Sequence, residues 1–181
     1  MLQVNDRLTD IYAQLGIPLS HVERCGMPLQ PECSTLVDAG MDVFGRAARL
    51  DAATCKAWHA MQRSAATQGL ELQLVSAYRS YDYQCQLFER KLSRGQMIEE
   101  ILRVNAAPGY SEHHSGRAVD VGTPGVAHLE EVFETSAAFD WLCRHAGSFG
   151  FRLTFPRDNP YGVLYEPWHW YFEGIDHSSI A

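Results

Sequence analysis

The chain has 181 residues, of which 46% are apolar and 20% charged. That length and balance fit a single globular domain and exclude a fibrous or low-complexity chain. The net charge is −7 and the basic residues are dispersed, which argues against a nucleic-acid partner, because phosphate binding needs clustered Lys and Arg.

At the N-terminus Leu8, Ile11, Tyr12 and Leu15 recur at helical spacing, and Gly16 then Pro18 end that run. Pro28 and Pro31 mark a loop. Leu36, Val43, Phe44, Ala47 and Leu50 read as one helical face. Asp51 is the expected N-cap of the next helix, which turns Cys55, Trp58, Met61 and Ala65 inward and stops at Gly69. Residues 70–78 alternate apolar and polar, which predicts a strand. Asp82 is placed to cap a helix through Leu92 with Leu87 and Phe88 buried. A further helix is expected over 96–104, with Pro108-Gly109 as its breaker. A short strand follows at 118–121, then a helix over 139–148 and a strand over 151–155. After the turn at Asp158-Asn159-Pro160, the final strand is expected over 166–172.

Helices come first and short strands later. This order predicts an α+β fold with a small antiparallel sheet rather than a wound βαβ sheet. Residues 1–69 read as a helical region packed on the same domain, and 70–181 as the core that carries the chemistry.

Five cysteines are present, an odd number with no C-x-x-C pair. A thiolate zinc site is thereby disfavoured, and the thiols are expected to be mostly buried and reduced. The first residues lack a basic segment followed by an apolar one, so the chain is expected to be cytoplasmic. A periplasmic protein stripped of its leader would read the same way. No stretch approaches ~18 apolar residues, so no membrane span is expected. Oligomeric state is left open.

Two segments concentrate reactive groups. One is Ser111-Glu-His-His-Ser-Gly-Arg-Ala-Val-Asp120. The other is Tyr165-Glu-Pro-Trp-His-Trp170. Catalytic zinc needs three protein ligands, an open position and a nearby base. A lone histidine is usually structural. Asp120, between Val119 and Val121, is less ordinary, because a buried carboxylate must be paired or ligated. Glu166 and His169 would face opposite sides of a regular strand, so Glu166 is better placed at the loop-to-strand junction.

These residues resemble the VanY-type D-alanyl-D-alanine carboxypeptidases, of the superfamily that also holds lysostaphin-type peptidases and the hedgehog signalling domain. The pattern S-x-H-x-x-G-x-A-x-D is met by Ser111, His113, Gly116, Ala118 and Asp120. The later E-x-W-H is met by Glu166, Trp168 and His169. Ser76-Ala-Tyr-Arg-Ser80, then Gln84 and Leu87-Phe88, resemble the upstream segment, and Trp141-Leu142…Phe149-Gly150-Phe151 resembles the helix-to-strand region. The likeness covers about 70–173.

The resemblance implies a hedgehog/DD-peptidase-like fold and a Zn2+ ion held by His113, Asp120 and His169. It implies that Glu166 is the base for the attacking water and later protonates the leaving amine. Arg79 would stabilise the polarised carbonyl or anchor the substrate carboxylate. Gln84 and Ser111 would contact substrate. Trp168 could wall the pocket, as could Trp170. His114 matches no ligand position and is expected behind the site or exposed. His21, His59, His128, His145 and His177 are expected to be structural or exposed.

The implied substrate is a peptidoglycan-derived peptide or muropeptide. Within the family, removal of D-alanine from a tetrapeptide (LD) suits recycled wall fragments in the cytoplasm, and cleavage of D-Ala-D-Ala pentapeptides (DD) is the alternative. A non-catalytic zinc-bearing interaction domain is a further alternative, against which Glu166 and Arg79 speak. An endolysin that cuts inside the stem is another.

Overall fold

The computed structural model describes residues 6–174; His177 lies outside them. The chain opens with α1 (Asp6–Leu15), which buries Leu8, Tyr12 and Leu15, and a short α2 (Leu19–Arg24). Next comes a hairpin of β1 (Leu36–Met41) and β2 (Ala47–Asp51), paired antiparallel.

The hairpin corrects the helix expected across 36–50. Gly40 and Gly45 take φ of 90° and 73°, which a helix does not allow. Asp42 ties the turn, since its Oδ1 accepts from the backbone N–H groups of Phe44 and Arg46, both at 2.9 Å. Exposed and buried residues then alternate in β2, with Ala48 and Leu50 inward. Phe44, assigned to an inner helical face, is instead exposed.

Helix α3 (Ala52–Ala66) begins where the sequence places it. Asp51 caps it by accepting from the N–H groups of Ala53 and Thr54. Trp58, Met61 and Ala65 face the main core with Leu50, Trp141 and Leu142. The strand expected over 70–78 is only β3 (Gln73–Ser76). Helix α4 (Tyr81–Ser93) is capped by Ser80, whose hydroxyl accepts from Tyr83 N–H at 3.0 Å. Asp82 lies inside the first turn and pairs with Arg7 at 2.7 Å. Helix α5 (Ile98–Val104) follows.

A 3-10 turn (Glu112–Ser115) leads into β4 (Ala118–Gly122). Beyond it come α6 (Ala137–His145), β5 (Phe151–Leu153) and β6 (His169–Phe172). The four-stranded antiparallel sheet has the order β3-β4-β6-β5. One face of this sheet packs against α3 and α6. A second apolar cluster joins α1, α4 and α5 through Leu8, Tyr12, Phe88 and Ile101. The fold is therefore α+β, as expected. Among the described residues no helix is long and apolar enough to cross a membrane.

All five cysteines are unpaired thiols, but only Cys55 is buried. Three are half-buried and Cys143 is exposed, so the expectation of mostly buried thiols fails.

Candidate metal centre and active site

Register in the sheet assembles the site. Asp120, at the middle of β4, stands opposite Ser76 of β3 on one side and His169 of β6 on the other. Alternation sends Val119 and Val121 into the core and leaves Asp120 on the other face. His113 arrives from the 3-10 turn just before the strand. That turn must reverse tightly, and Gly116 allows it at φ 69°. A Cβ at Gly116 would lie 2.9 Å from the backbone nitrogen of Asp51, which donates to the Gly116 carbonyl. This close approach explains the glycine of the motif physically.

Side-chain atoms of His113, Asp120 and His169 lie within 4.8 Å of one another, all buried. Asp120 Oδ1 is 3.3 Å from His113 Nε2 and 3.1 Å from His169 Nδ1. The outward nitrogens are both occupied. His113 Nδ1–H donates to the Ala77 carbonyl at 2.7 Å, and His169 Nε2–H donates to Glu112 Oε2 at 2.8 Å. Each ring thus presents the nitrogen that faces its neighbours. Two imidazoles and a carboxylate, oriented by outer partners, are the donor set of a three-ligand zinc site with an open position.

Two of the three groups already stand in their ligand form. Burial, reinforced by Arg79, lowers His113 to about 4, so it is neutral at physiological pH. Burial alone would raise Asp120, but His113, Arg79 and the hydrogen bonds from both histidines outweigh it and hold it well below the usual range. Without a metal, burial works to lower His169 too. Hydrogen bonds to Asp120 and Glu112 overcome that and raise it to about 10.

Arg79 follows β3 and reaches the opposite edge of Asp120, with Nη2 donating to Oδ2 at 2.6 Å and Nε to Ser76 Oγ at 3.0 Å. Glu166 lies in the loop before β6, where His169 N–H donates to its carbonyl at 3.1 Å. Its Oε2 is 3.8 Å from His169 Nδ1. Burial raises Glu166 to about 7, with Asp120 and Glu112 adding to the shift and His169 and Arg79 opposing it. A carboxyl group poised there can both take and return a proton near neutrality.

A cavity of about 720 Å3 joins these groups and is also lined by Gln84, Ser111 and Trp168. Gln84 is 1% exposed; its Nε2 donates to the Ala106 carbonyl at 2.9 Å and its Oε1 has no partner among the described residues. Trp170 is not on the cavity wall; it packs in the main core and donates to the Pro167 carbonyl. His114 is fully buried beside the site. Its Nε2 accepts from Gly109 N–H at 3.1 Å and its Nδ1–H donates to the Arg79 carbonyl at 2.6 Å. It is not among the clustered ligand atoms.

Glu112 was not anticipated from the sequence. Its signal was available: a ligand histidine usually donates its second N–H to a carboxylate, and an acidic residue stands directly before His113.

Residues 47–175 match the family described as VanY, D-alanyl-D-alanine carboxypeptidase. The chain belongs to this family. It is 34% identical over 132 residues to the bifunctional D-Ala-D-Ala dipeptidase and carboxypeptidase VanXYC of Enterococcus gallinarum, covering 69% of this chain and 67% of that one. A D-alanyl-D-alanine carboxypeptidase of Enterococcus faecium is 35% identical over 108 residues, 58% of this chain. The chain spans only 31% of that second relative.

Among solved structures, the LD-carboxypeptidase LdcB superposes with a TM-score of 0.73 at 29% identity, over 82% of this chain and 72% of that one. A VanY D,D-pentapeptidase from a VanB-type resistance cassette, solved in complex with Zn(II), gives 0.63 at 25% identity over 82% and 83%. Family, donor set and zinc-bearing neighbour agree: this VanY-family protein is a zinc metallocarboxypeptidase.

Proposed function

We propose that the chain removes the terminal D-alanine from a peptidoglycan stem tetrapeptide, as an LD-carboxypeptidase acting on free muropeptides. The observation that carries the hydrolytic part is the convergence of the His113–Asp120–His169 cluster, Glu166 and Arg79 in one cavity. A binding domain would need neither a base held near neutrality nor a tethered guanidinium. The LD choice is supported by the superposition on LdcB, an LD-carboxypeptidase.

Zinc bound by the triad would acidify water to a pKa of ~7 and polarise the scissile carbonyl. Glu166 accepts the proton of the attacking water as its oxygen adds to the carbonyl carbon. Arg79, fixed by Ser76 and Asp120, stabilises the negative charge that develops on the carbonyl oxygen. Glu166 then gives the proton to the departing amine as the C–N bond breaks. Ser111 and Gln84 orient the peptide, with Trp168 beside it.

A DD activity is the second reading, favoured by the D-Ala-D-Ala specificity named for VanXYC. Mass spectrometry of tetrapeptide and pentapeptide muropeptides incubated in parallel separates the two. Loss of one alanine from the tetrapeptide is expected; trimming of the pentapeptide alone would replace LD by DD.

A further inference from the structure

The terminal carboxylate needs a cation, and Arg79 is largely committed elsewhere. Its Nη2 is spent on Asp120 and its Nε on Ser76, and its side chain is only 17% exposed. One edge of the guanidinium remains for substrate, close to the metal cluster. That place suits the carbonyl oxygen better than the chain end.

Helix α4 supplies a second cation. Gln84, Leu87 and Lys91 stand at i, i+3 and i+7, so they share one helical face, and all three line the cavity. Lys91 is half-buried, and among the described residues it pairs with no carboxylate. Burial pushes its pKa down and Arg79 pushes the same way, while Glu166 opposes them. An ammonium partly withdrawn from water with no carboxylate in contact is a costly arrangement that an incoming anion would relieve.

Its position indicates which anion. In a terminal amino acid the amine that leaves and the free carboxylate are attached to one Cα. A cation on the leaving-group side must therefore lie near the group that protonates the amine. Lys91 stands within the electrostatic reach of Glu166 and lines the same cavity.

We propose that Lys91 receives the free carboxylate of the leaving amino acid and thereby selects chain ends over internal bonds. The assignment rests on the carboxypeptidase reading above. It divides the two roles first assigned to Arg79, leaving Arg79 with the carbonyl oxygen and Lys91 with the carboxylate.

The test uses the zinc-loaded full chain and a tetrapeptide with either a free or an amidated C-terminus. Wild type should trim the free acid and discriminate against the amide. Lys91→Met keeps the apolar stem and removes the charge. It should raise KM for the free acid by about 10- to 100-fold, the usual worth of a charge-assisted contact. The change in kcat should be small, zinc content normal, and the preference for acid over amide lost. Lys91→Arg should restore most of that preference. A Lys91→Met enzyme with wild-type KM and selectivity overturns the Lys91 assignment alone, leaving a lysine that merely covers apolar surface. A wild type that trims neither this pair nor the corresponding pentapeptide pair overturns the carboxypeptidase reading and this assignment with it.

Discussion

Glu112 Oε2 lies 2.8 Å from His169 Nε2, and this contact decides which nitrogen of His169 faces Asp120. Glu112 is 8% exposed, so the hydrogen bond forms in a poorly solvated place and is correspondingly directional. Removing it frees the ring to reorient and weakens the donor strength of Nδ1. Glu112→Ala should therefore lower zinc affinity by about 10- to 100-fold. Competition with a chelating dye measures this, and added zinc should restore turnover. Unchanged affinity would reduce Glu112 to packing.

Zinc uptake should release about one proton from the ligands near pH 7, and a further fraction from Glu166, which stands near its midpoint at about 7 and is pulled down by the dication. The accounting comes from the three ligands. His113, lowered to about 4, is already neutral, and Asp120 is already ionised. Only His169, raised to about 10 in the metal-free protein, must give up a proton from Nδ1. Zinc affinity should accordingly fall as pH falls, because protons compete for that nitrogen. Calorimetry in two buffers of different ionisation enthalpy reads the proton count directly. Release of well under one proton would mean that His169 is neutral before the metal arrives.

His113 and His114 are adjacent and both buried, yet they should fail differently. His113→Ala should lose zinc and activity together, since its Nε2 is one of the clustered ligand atoms. His114→Ala should keep zinc but lower the unfolding temperature. It leaves the Gly109 N–H and the Arg79 carbonyl without their partner, at about 1–3 kcal/mol for each. Elemental analysis beside thermal denaturation distinguishes the two. Full zinc occupancy in the His113 variant would sink the ligand assignment.

The contrast between these neighbours shows what a sequence can reveal. The resemblance to the VanY-type motifs pointed to His113, Asp120 and His169, and the sheet register brings their side-chain atoms together. Asp120 was legible from its apolar flanks, which make an unpartnered carboxylate untenable. The hairpin of residues 36–51 was not legible. Its apolar residues happen to fit a helical period, while the deciding features are backbone ones, the positive φ of Gly40 and Gly45 and the turn held by Asp42. Glu112 and Lys91 escaped notice for another reason. Their surroundings are tertiary: Glu112 meets a histidine 57 positions later, and Lys91 depends on which face of α4 borders the cavity.

Glu166 offers the sharpest separation of chemistry from binding. Burial raises it to about 7 without a metal; its Oε2 lies 3.8 Å from Nδ1 of His169, one of the residues that would hold zinc, so a bound dication would add a nearby charge that pulls it down. The base must be ionised to take the proton of water. Activity should thus decline as pH falls through its pKa, and in the zinc-loaded enzyme the acid limb of kcat/KM should lie below 7. Infrared titration of the carboxyl band should place the metal-free group higher than the zinc-loaded one. Glu166→Gln should keep zinc and peptide binding, lose at least ~10² in kcat and lose that acid limb with it. If the limb persists in a variant that still turns over at a near-normal rate, another group is the base, and the proton path through Glu166 is wrong.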